Sequence, residues 1–519
     1  MHWVASRFVF CLALAFSING RQAQGMDLTS QTFTENGIRP SIAASDSGEF
    51  MILFTRLRWD LLNGSPSSLP QVPASHLFAR LFHSDGSAMT EAFEVYSGAA
   101  FSGRSVVKSD RRGNFTCFWG VRPGSGANPY ISFRRFDSNG RARTDVETVI
   151  RTGSNVEDSA IIMTFDVDMA PDGSFVVVWS ESIDLYDARS VIYAQRFDSR
   201  SRKAGPRIRV TPQEVPPHQS QSDVRVSMDD EGGFVVTWLH RYFPEFPHRE
   251  LSIDLKAAVY DPEGNALDSH LVLRHEELEV GHEHLPPRVK KMAGHGFVVM
   301  TNHTVMHELG EDEDPPSRTY SSTFEGRFYP ENDVPSEIFS SHDIEIGGQS
   351  NFDLDMTEQG RIVLVFEDDL PDVKATRLME FNPDFSIATN VRLLNDSGVL
   401  PIQAEALPVI QIREDGTYIY ALTKVAEDFE VTRRQWIRGG IIQPDRDQEI
   451  GTAPLSVELA AQSMLSIEFE TKPGKSYRLL RGGALNNLTE AEVFSGTGQR
   501  AKRLYPLKVG NEFFAVIEE

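Results

Sequence analysis

Two pairs of aspartates, each pair separated by one residue, are the side chains best suited to acid–base chemistry in this sequence. Asp166 and Asp168 form one pair, and Asp353 and Asp355 form the other. Alternate residues of an extended strand point to the same face, so each pair presents two carboxylates together. Carboxylates arranged in this way act as general acid and base, or bind a cation. These four residues are therefore the catalytic candidates if the protein is an enzyme.

The aspartate pairs occupy equivalent positions of a repeat that also places basic residues beside them. Alignment on the following turn assigns Lys108 and Arg225 to the units that flank Asp166 and Asp168. Ion pairing between units is the structural alternative to catalysis, because charges near a core are rarely left unpaired. Two carboxyls about 5 to 9.5 Å apart across an open pocket would favour hydrolysis. Salt-bridged carboxyls would favour the structural role.

Histidines are concentrated in one part of the chain. Six of the fourteen fall between residues 275 and 307. His282 and His284 would lie on one side of a strand, and His303 and His307 would converge only in a helical turn. No His-Glu-x-x-His motif accompanies them. We expect no cofactor and no metal, and these four histidines are the ligands in the alternative that a metal is bound.

The segment 240–250 is rich in side chains that bind ligands. Aromatic rings and arginines stack on sugars or anchor protein partners. The alternative is that the phenylalanines only pack the loop against the fold. The candidate binding residues, including one from each of two other long loops, are His240, Arg241, Tyr242, Phe243, Phe246, His248, Arg249, Trp59 and Tyr186.

The elements that must position these residues recur seven times. Each unit has an apolar strand, a tight turn, a second apolar strand and two further strands, with a period of 56 to 65 residues. The second strands are apolar on both faces, as in residues 175–179, which is typical of a sheet covered on both sides. The pattern predicts an all-β fold with a seven-bladed propeller of four-stranded antiparallel blades. The second strands are expected to begin at Phe50, Phe115, Phe175, Phe234, Phe297, Ile362 and Tyr418.

The sequence divides into three predicted regions. Residues 1–25, with a cation at Arg7 and an apolar run over 8–16, are predicted to be a cleaved signal peptide. Residues 26–450 form the predicted propeller, in which the segment 28–34 completes blade seven and removes an open sheet edge. Residues 453–519 are predicted to form a small β-sandwich. The expected location is therefore secreted or periplasmic.

Strand parity sorts the connections between two rims of the propeller. The first-to-second and third-to-fourth turns share one rim and are short and rich in Asp and Gly. The other rim carries long, dissimilar segments, including 58–74, 181–190, 240–251 and 302–320. Function on a repeated scaffold usually lies on such variable loops.

The repeat also resembles a known family. Asp-Gly, Phe-Val-Val-Val-Trp and Tyr-Ala-Gln-Arg-Phe-Asp within residues 166–198 resemble β-propeller repeats of secreted bacterial proteins. The resemblance covers about residues 38–440 and implies the fold and export. It implies no particular reaction, because the family is functionally mixed and often occurs in adhesins or surface proteins. The C-terminal segment resembles small strand modules of exported bacterial proteins.

Composition excludes several functions. The formal net charge of −23 argues against nucleic-acid binding, which rests on a basic surface. No segment approaches the roughly 20 apolar residues that a membrane span requires. Cys117 is the one cysteine left after signal cleavage, so no intrachain disulfide is expected.

The sequence thus favours a non-enzymatic, exported propeller that binds a glycan or an extracellular protein through the rim of long loops. The alternative is a polysaccharide hydrolase or lyase with its carboxylates at the mouth of the central channel.

Overall fold

The structure of this protein is a computed structural model. It describes residues 33–35, 38–57, 75–98, 101–123, 128–151, 161–184, 189–212, 216, 218–242, 252–276, 282–284, 286–309, 317–331, 334–340, 346–347, 351–357, 360–370, 373–382, 386–393, 407–413, 415–427, 433–442, 464–470, 476–482, 489–495, 500–506 and 513–518. The chain divides into two compact units, of which the larger comprises Asp27–Asn395 with Pro401–Pro444 and the smaller contains Asp445–Glu519.

The first half of the larger unit begins with strand β1 (Phe33–Glu35) and continues with four blades. Blade one contains β2 (Ile38–Ala44), β3 (Phe50–Leu57), β4 (Ser75–Phe82) and β5 (Phe93–Ser97). Blade two contains β6 (Phe101–Ser109), β7 (Phe115–Val121), β8 (Tyr130–Phe136) and β9 (Glu147–Arg151). Blade three contains β10 (Ile161–Met169), β11 (Phe175–Asp184), β12 (Arg189–Phe197) and β13 (Ile208–Arg209). Blade four contains β14 (Gln219–Met228), β15 (Phe234–Tyr242), β16 (Ser252–Tyr260) and β17 (Ala266–Glu276).

The second half contains three more blades. Blade five contains β18 (His282–His284), β19 (Arg288–Met292), β20 (Gly296–Leu309), β21 (Ser317–Tyr329), β22 (Phe339–Ser340) and β23 (Ile346–Gly347). Its first and fourth strand positions are each divided between two short strands, because β18 and β19 both pair with β20 while β22 and β23 both pair with β21. Blade six contains β24 (Phe352–Met356), β25 (Ile362–Leu370), β26 (Val373–Phe381) and β27 (Ile387–Leu393). Blade seven contains β28 (Val409–Ile412), β29 (Tyr418–Glu427), β30 (Arg433–Ile442) and β1.

The predicted seven-bladed, all-β propeller is confirmed. Six of the seven second strands begin at the predicted residue, and β20 begins one residue early, at Gly296. The innermost strand of each blade contacts that of the next, and β28 contacts β2, so the ring is closed. Blade seven combines strands from both ends of the propeller sequence, since β1 pairs antiparallel with β30 and places Phe33 opposite Gly439.

The core lies between blades. All seven residues of β7 are buried, and Cys117 and Trp119 pack against Met51 and Leu53 of the preceding blade. Burial also raises the pKa of the Cys117 thiol, so this cysteine behaves as a small hydrophobe.

An aromatic stack recurs where the second and third strands meet. Phe175 at the start of β11 stacks on Phe197 at the end of β12, with ring centroids 4.8 Å apart. The equivalent pair in blade four, Phe234 and Tyr260, is 4.7 Å apart. Each buried ring contributes roughly 2 to 3 kcal/mol through the area removed from water. The aromatic residue at or near the start of the second strand therefore helps to fix the register in blades one, three, four and five.

One rim consists of tight hairpins. Gly173 N–H donates to the Ala170 carbonyl at 2.9 Å between the first two strands of blade three, and Gly140 N–H donates to the Asp137 carbonyl at 2.9 Å between the last two of blade two. Strand parity assigns the second-to-third connections to the opposite rim. Three of the predicted long segments are shorter than expected, because residues 181–184, 189–190, 240–242, 302–309 and 317–320 belong to strands. The remaining connections are 58–74, 185–188, 243–251 and 310–316. These segments lie outside the described residues.

The smaller unit contains β31 (Met464–Glu470), β32 (Ser476–Gly482), β33 (Thr489–Ser495), β34 (Arg500–Pro506) and β35 (Phe513–Glu518). Strands β31 and β34 form one sheet, and β33, β32 and β35 form another in that order. Their packing as a β-sandwich stays a prediction, as does the signal peptide, because residues 1–25 lie outside the described residues. In the described part of the chain, no helix has the length and apolar character needed to cross a membrane.

Two glycines in the hairpins make the backbone requirement testable. Gly173 has φ +86°, and a Cβ added there would lie 3.6 Å from the nearest atom, which is ordinary contact. Gly296 has φ +99°, and a Cβ added there would collide with the Tyr329 carbonyl oxygen. We expect Gly173→Ala to lower the free energy of unfolding by about 1 to 2 kcal/mol, and Gly296→Ala to lower it by more than about 3 kcal/mol because the clash adds to the strain. Urea denaturation of both variants measures this, and equal losses would contradict the packing at Gly296.

Candidate functional site

The innermost strands of the seven blades surround a central channel of about 200 Å³. Period-two alternation places every second residue of each strand toward this channel. The charged side chains that line it are Arg104, Lys108, Asp166, Asp168, Arg225, Arg288, Lys290, Asp353 and Asp355. Both predicted aspartate pairs are therefore brought to one place.

The channel charges form two layers. In blades three, five and six the layers lie two residues apart along the strand and hence roughly 7 Å apart. In blade two, Arg104 and Lys108 are four residues apart because the strand is irregular between Phe101 and Ser105. The arginine layer comprises Arg104, Asp166, Arg225, Arg288 and Asp353. The lysine layer comprises Lys108, Asp168, Lys290, Asp355 and Gln411. The lysine layer is closer to the tight hairpins, because turns such as 170–173 follow it directly in sequence. The arginine layer is closer to the opposite rim.

Ion pairs join neighbouring blades in both layers. In the arginine layer, Arg104 Nη2 lies 2.8 Å from Asp166 Oδ1, and Arg288 Nε lies 3.0 Å from Asp353 Oδ1. In the lysine layer, Lys108 Nζ lies 2.8 Å from Asp168 Oδ1, and Lys290 Nζ lies 2.8 Å from Asp355 Oδ1. Each pair runs from a cation on one blade to a carboxylate on the next blade in sequence. The interblade pairing expected for Lys108 is therefore present.

The second oxygen of each aspartate accepts from the backbone of the following blade. Asp166 Oδ2 accepts from Val226 N–H at 3.2 Å, and Asp168 Oδ2 accepts from Met228 N–H at 2.7 Å. Blade six repeats this arrangement: Asp353 Oδ2 accepts from Ile410 N–H at 3.2 Å, and Asp355 Oδ2 accepts from Ile412 N–H at 2.8 Å. All four carboxylates thus have both oxygens engaged.

Arg225 differs from the other channel cations. Its side chain donates from Nη1 to the neighbouring Val224 carbonyl at 2.8 Å, and its Nε has no hydrogen-bond partner among the described residues. Burial lowers the pKa of Arg225, and the positive charges of Arg104 and Arg288 lower it further. The expected pairing of Arg225 with the two channel aspartates is limited to longer-range attraction by Asp166, and Asp223 also attracts its charge.

Two carboxyls in the arginine layer are shifted in opposite directions. Burial alone would raise the pKa of Asp166, but Arg104, Arg225 and Lys108 outweigh it and the pKa is lowered. Burial raises the pKa of Asp353 despite the opposing charge of Arg288. The channel therefore distinguishes Asp166 from Asp353 electrostatically.

Three channel cations were missed by the sequence alignment: Arg104, Arg288 and Lys290. In blade five, Lys291 lies opposite Phe297, which makes Lys290 equivalent to Asp168. Alignment on that aromatic residue would have found Lys290 and, two residues earlier, Arg288. Arg104 precedes the aligned positions and lies within the irregular stretch between Phe101 and Ser105, so no spacing rule identifies it.

His240 and Arg241, predicted as binding residues, are held by neighbouring strands. His240 Nδ1 accepts from Lys256 Nζ at 2.7 Å, so its proton lies on Nε2, which is 3.1 Å from Gln219 Oε1. Arg241 Nη2 lies 3.3 Å from Asp223 Oδ2. Burial lowers the pKa of His240 to about 4, and Lys256 contributes in the same direction.

Among the remaining binding candidates, Tyr242 is half-buried at the end of β15. The others lie outside the described residues: Phe243, Phe246, His248, Arg249, Trp59 and Tyr186. Their proposed roles stay predictions.

The histidine candidates lie on two paired strands. In the pairing of β18 with β20, His284 is opposite His303 and His282 is opposite Val305. Strand β20 also contains His307. The described residues hold no group of three or more His, Cys, Asp or Glu side chains arranged to bind a metal.

No protein-family model matches this chain, and no curated protein matches it. Among solved structures, the chain is similar to a polysaccharide lyase at 9% identity and TM-score 0.44, covering 76% of this chain and 88% of that one. It is also similar to a Dyadobacter fermentans protein of unknown function at 11% identity and TM-score 0.41, covering 79% and 95%. A third is an α-L-arabinofuranosidase of Fusarium graminearum, solved with arabinobiose, at 8% identity and TM-score 0.40, covering 79% and 98%. Identities and scores this low carry no argument about the function of this chain.

The ion pair of Lys290 and Asp355, whose side chains are 29% and 5% exposed, gives a stability prediction. Asp355→Ala leaves the Lys290 ammonium without its partner, and we expect a loss of about 3 to 5 kcal/mol in the free energy of unfolding. Asp46→Ala is the matched control, because Asp46 and Arg111 form a pair at 3.5 Å with side chains 39% and 67% exposed, and such a pair contributes less than about 1 kcal/mol. Urea denaturation separates the two cases. Similar losses would mean that the channel pair is not desolvated.

The depressed pKa of His240 predicts acid sensitivity. The folded-state value of about 4 lies below the ordinary 6.5, so the stability contribution is present above pH 6.5 and is lost as the pH falls toward 4. Between pH 6.5 and 4 we expect the unfolding free energy of the wild type to fall more steeply with decreasing pH than that of His240→Gln. The difference between the two slopes should be smaller than the one-proton limit of about 1.4 kcal/mol per pH unit, because the ring is partly solvated. Parallel slopes, measured by urea titration at each pH, would contradict this assignment.

Proposed function

We propose that this protein is an exported, non-enzymatic propeller that binds a glycan at the rim opposite the tight hairpins. The observation that supports binding over catalysis is the engagement of both oxygens of Asp166, Asp168, Asp353 and Asp355 by neighbouring blades. An extracellular protein is the other partner that this rim would fit.

Engaged carboxylates are poor acid–base catalysts. A general base must lie within hydrogen-bond reach of the proton that it removes, and its lone pairs must be available to the substrate. In this channel, each carboxylate is held by a charge-assisted hydrogen bond, of the kind that is roughly twice as strong as a neutral one. Removing such a carboxylate from its partners would also leave a desolvated cation behind. The four aspartates are therefore better explained as structural links between blades.

The proposed glycan site lies where long connections and the arginine layer meet. Tyr242 ends β15 next to segment 243–250, which contains two further aromatic residues and two prolines. An aromatic face gives a sugar ring a large apolar contact without much loss of side-chain entropy. His240 and Arg241 are already hydrogen-bonded within blade four, so we assign them to positioning this segment.

The alternative is a polysaccharide hydrolase or lyase. The raised pKa of Asp353 favours it, because a carboxylic acid that keeps its proton is what protonation of a leaving group requires. The catalytic candidates would remain Asp166, Asp168, Asp353 and Asp355.

A glycan array tests the proposal with three proteins. The first is the wild type, and the second has residues 243–250 replaced by Gly and Ser, leaving His240 and Arg241 in place. The control has residues 199–201 of the tight-hairpin rim replaced by Gly-Ser-Gly. We expect the control to bind as the wild type does and the 243–250 variant to lose at least about tenfold in affinity, the usual effect of removing an aromatic anchor.

Other results would contradict specific parts of the proposal. Full binding by the 243–250 variant would remove this segment from the site. Failure of the wild type to bind any glycan would reject glycan binding, and release of shortened sugar products would favour the enzymatic alternative.

A further inference from the structure

The two channel layers differ in charge balance. The lysine layer contains two lysines and two aspartates, all in ion pairs. The arginine layer contains three arginines and two aspartates, so one positive charge has no counterpart among the residues that line it. This excess lies inside a chain whose formal net charge is −23.

Arg225 carries the excess charge. Only 7% of the residue is exposed, and its Nε lacks a hydrogen-bond partner among the described residues. Asp166 and Asp223 attract Arg225, but Asp166 is already bound to Arg104 and to Val226 N–H. Asp223 is paired with Arg241 at 3.3 Å. Arg104 also has a buried Nε without a partner among the described residues. The arginine layer therefore contains hydrogen-bond donors without a partner among the described residues and one positive charge more than its carboxylates balance.

An unpaired buried cation is costly. Removing a charge from water without a partner costs several kcal/mol, and the neighbouring guanidiniums of Arg104 and Arg288 add repulsion. A carboxylate placed among these groups would relieve both effects, because a guanidinium presents planar donors that match its two oxygens.

The size and position of the channel define how such a ligand would enter. The channel volume of about 200 Å³ is smaller than the 300 to 1,000 Å³ typical of a site that encloses a whole ligand. A channel of this volume could admit one charged substituent of a sugar but not the whole sugar ring. The arginine layer is the layer closer to the rim of long connections, so the sugar rings would remain outside on that rim.

We propose that the arginine layer binds the carboxylate of an acidic sugar, with Arg225 as its principal contact and Arg104 and Arg288 beside it. The inference rests on the proposed glycan binding and specifies a uronic acid as the ligand chemistry. Neutral sugars lack the group that would enter the channel.

Arg225→Met distinguishes a ligand contact from a structural residue. Methionine keeps the apolar length of the side chain and removes the uncompensated charge. If Arg225 serves the ligand, the variant without ligand is as stable as the wild type or more stable, because replacing a buried unpaired charge is favourable. Arg225→Gln, which retains a donor for the Val224 carbonyl, is the second variant. Arg111→Met is the control, since it removes the same charge from a side chain that is 67% exposed on the tight-hairpin rim.

Thermal unfolding is measured at constant ionic strength with D-glucuronate, D-glucose or acetate. We expect glucuronate at high concentration to raise the melting temperature of the wild type and of Arg111→Met by about 2 °C, with no response to glucose. Both Arg225 variants should lose this shift in melting temperature. Loss of a charged hydrogen bond is expected to weaken the affinity for glucuronate by at least about tenfold.

Several results would overturn the inference. A full glucuronate response in the Arg225 variants would exclude this residue as the contact. An equal response to acetate would identify a general anion site without sugar recognition. Marked destabilisation of both variants without ligand would assign Arg225 a structural role. Binding of neutral glycans on the array without a glucuronate response would reject the acidic ligand while leaving the proposed glycan binding intact.

Discussion

The innermost strand of every blade has one edge with no neighbouring strand, and the N–H groups on that edge need acceptors. A sheet edge buried against the next blade cannot rely on water for them. The structure supplies acceptors from the preceding blade at fixed positions: Ser41 Oγ accepts from Val107 N–H at 3.1 Å, and Ser227 Oγ accepts from Lys291 N–H at 2.9 Å. Asp166, Asp168, Asp353 and Asp355 serve the same purpose in their blades.

This constraint gives the recurring acidic pairs of the channel a structural role. A short acceptor at this position must be Ser, Thr, Asp or Asn, and an aspartate brings a charge that then requires a cation. Lys108 and Lys290 meet that requirement from the preceding blade. Arg225 is the departure from this pattern, because it adds positive charge where neither an edge N–H nor a carboxylate demands it. Departures from a structural pattern of this kind are where function is expected.

The sequence predicted the architecture well because each blade repeats the same local signals. The aromatic residue at the start of the second strand, the Gly-containing turn before it and continuous apolarity all agree within about 20 residues, so the blade is locally encoded. Contacts between blades are less accessible to such reasoning. Arg288 and Lys290 escaped alignment on the turn because His295 N–H donates to the Met292 carbonyl where glycines such as Gly173 donate in the other blades, so the turn has no Asp-Gly signal. The partners of His240 depend on the register of β14 and β16, which no spacing along the chain reveals.

The pairing of β1 with β30 has a consequence for biosynthesis. The residues that meet, 33–35 and 437–439, are separated by about 400 positions, so the earliest part of the propeller to leave the ribosome must wait for nearly the latest. Such a distant contact is slow to form because the entropy of closing the intervening loop has to be overcome first. Blades one to six each use consecutive strands of the chain, so their hairpins can form before the ring closes. Ring closure by this pair is therefore possible only after β30 has been synthesised.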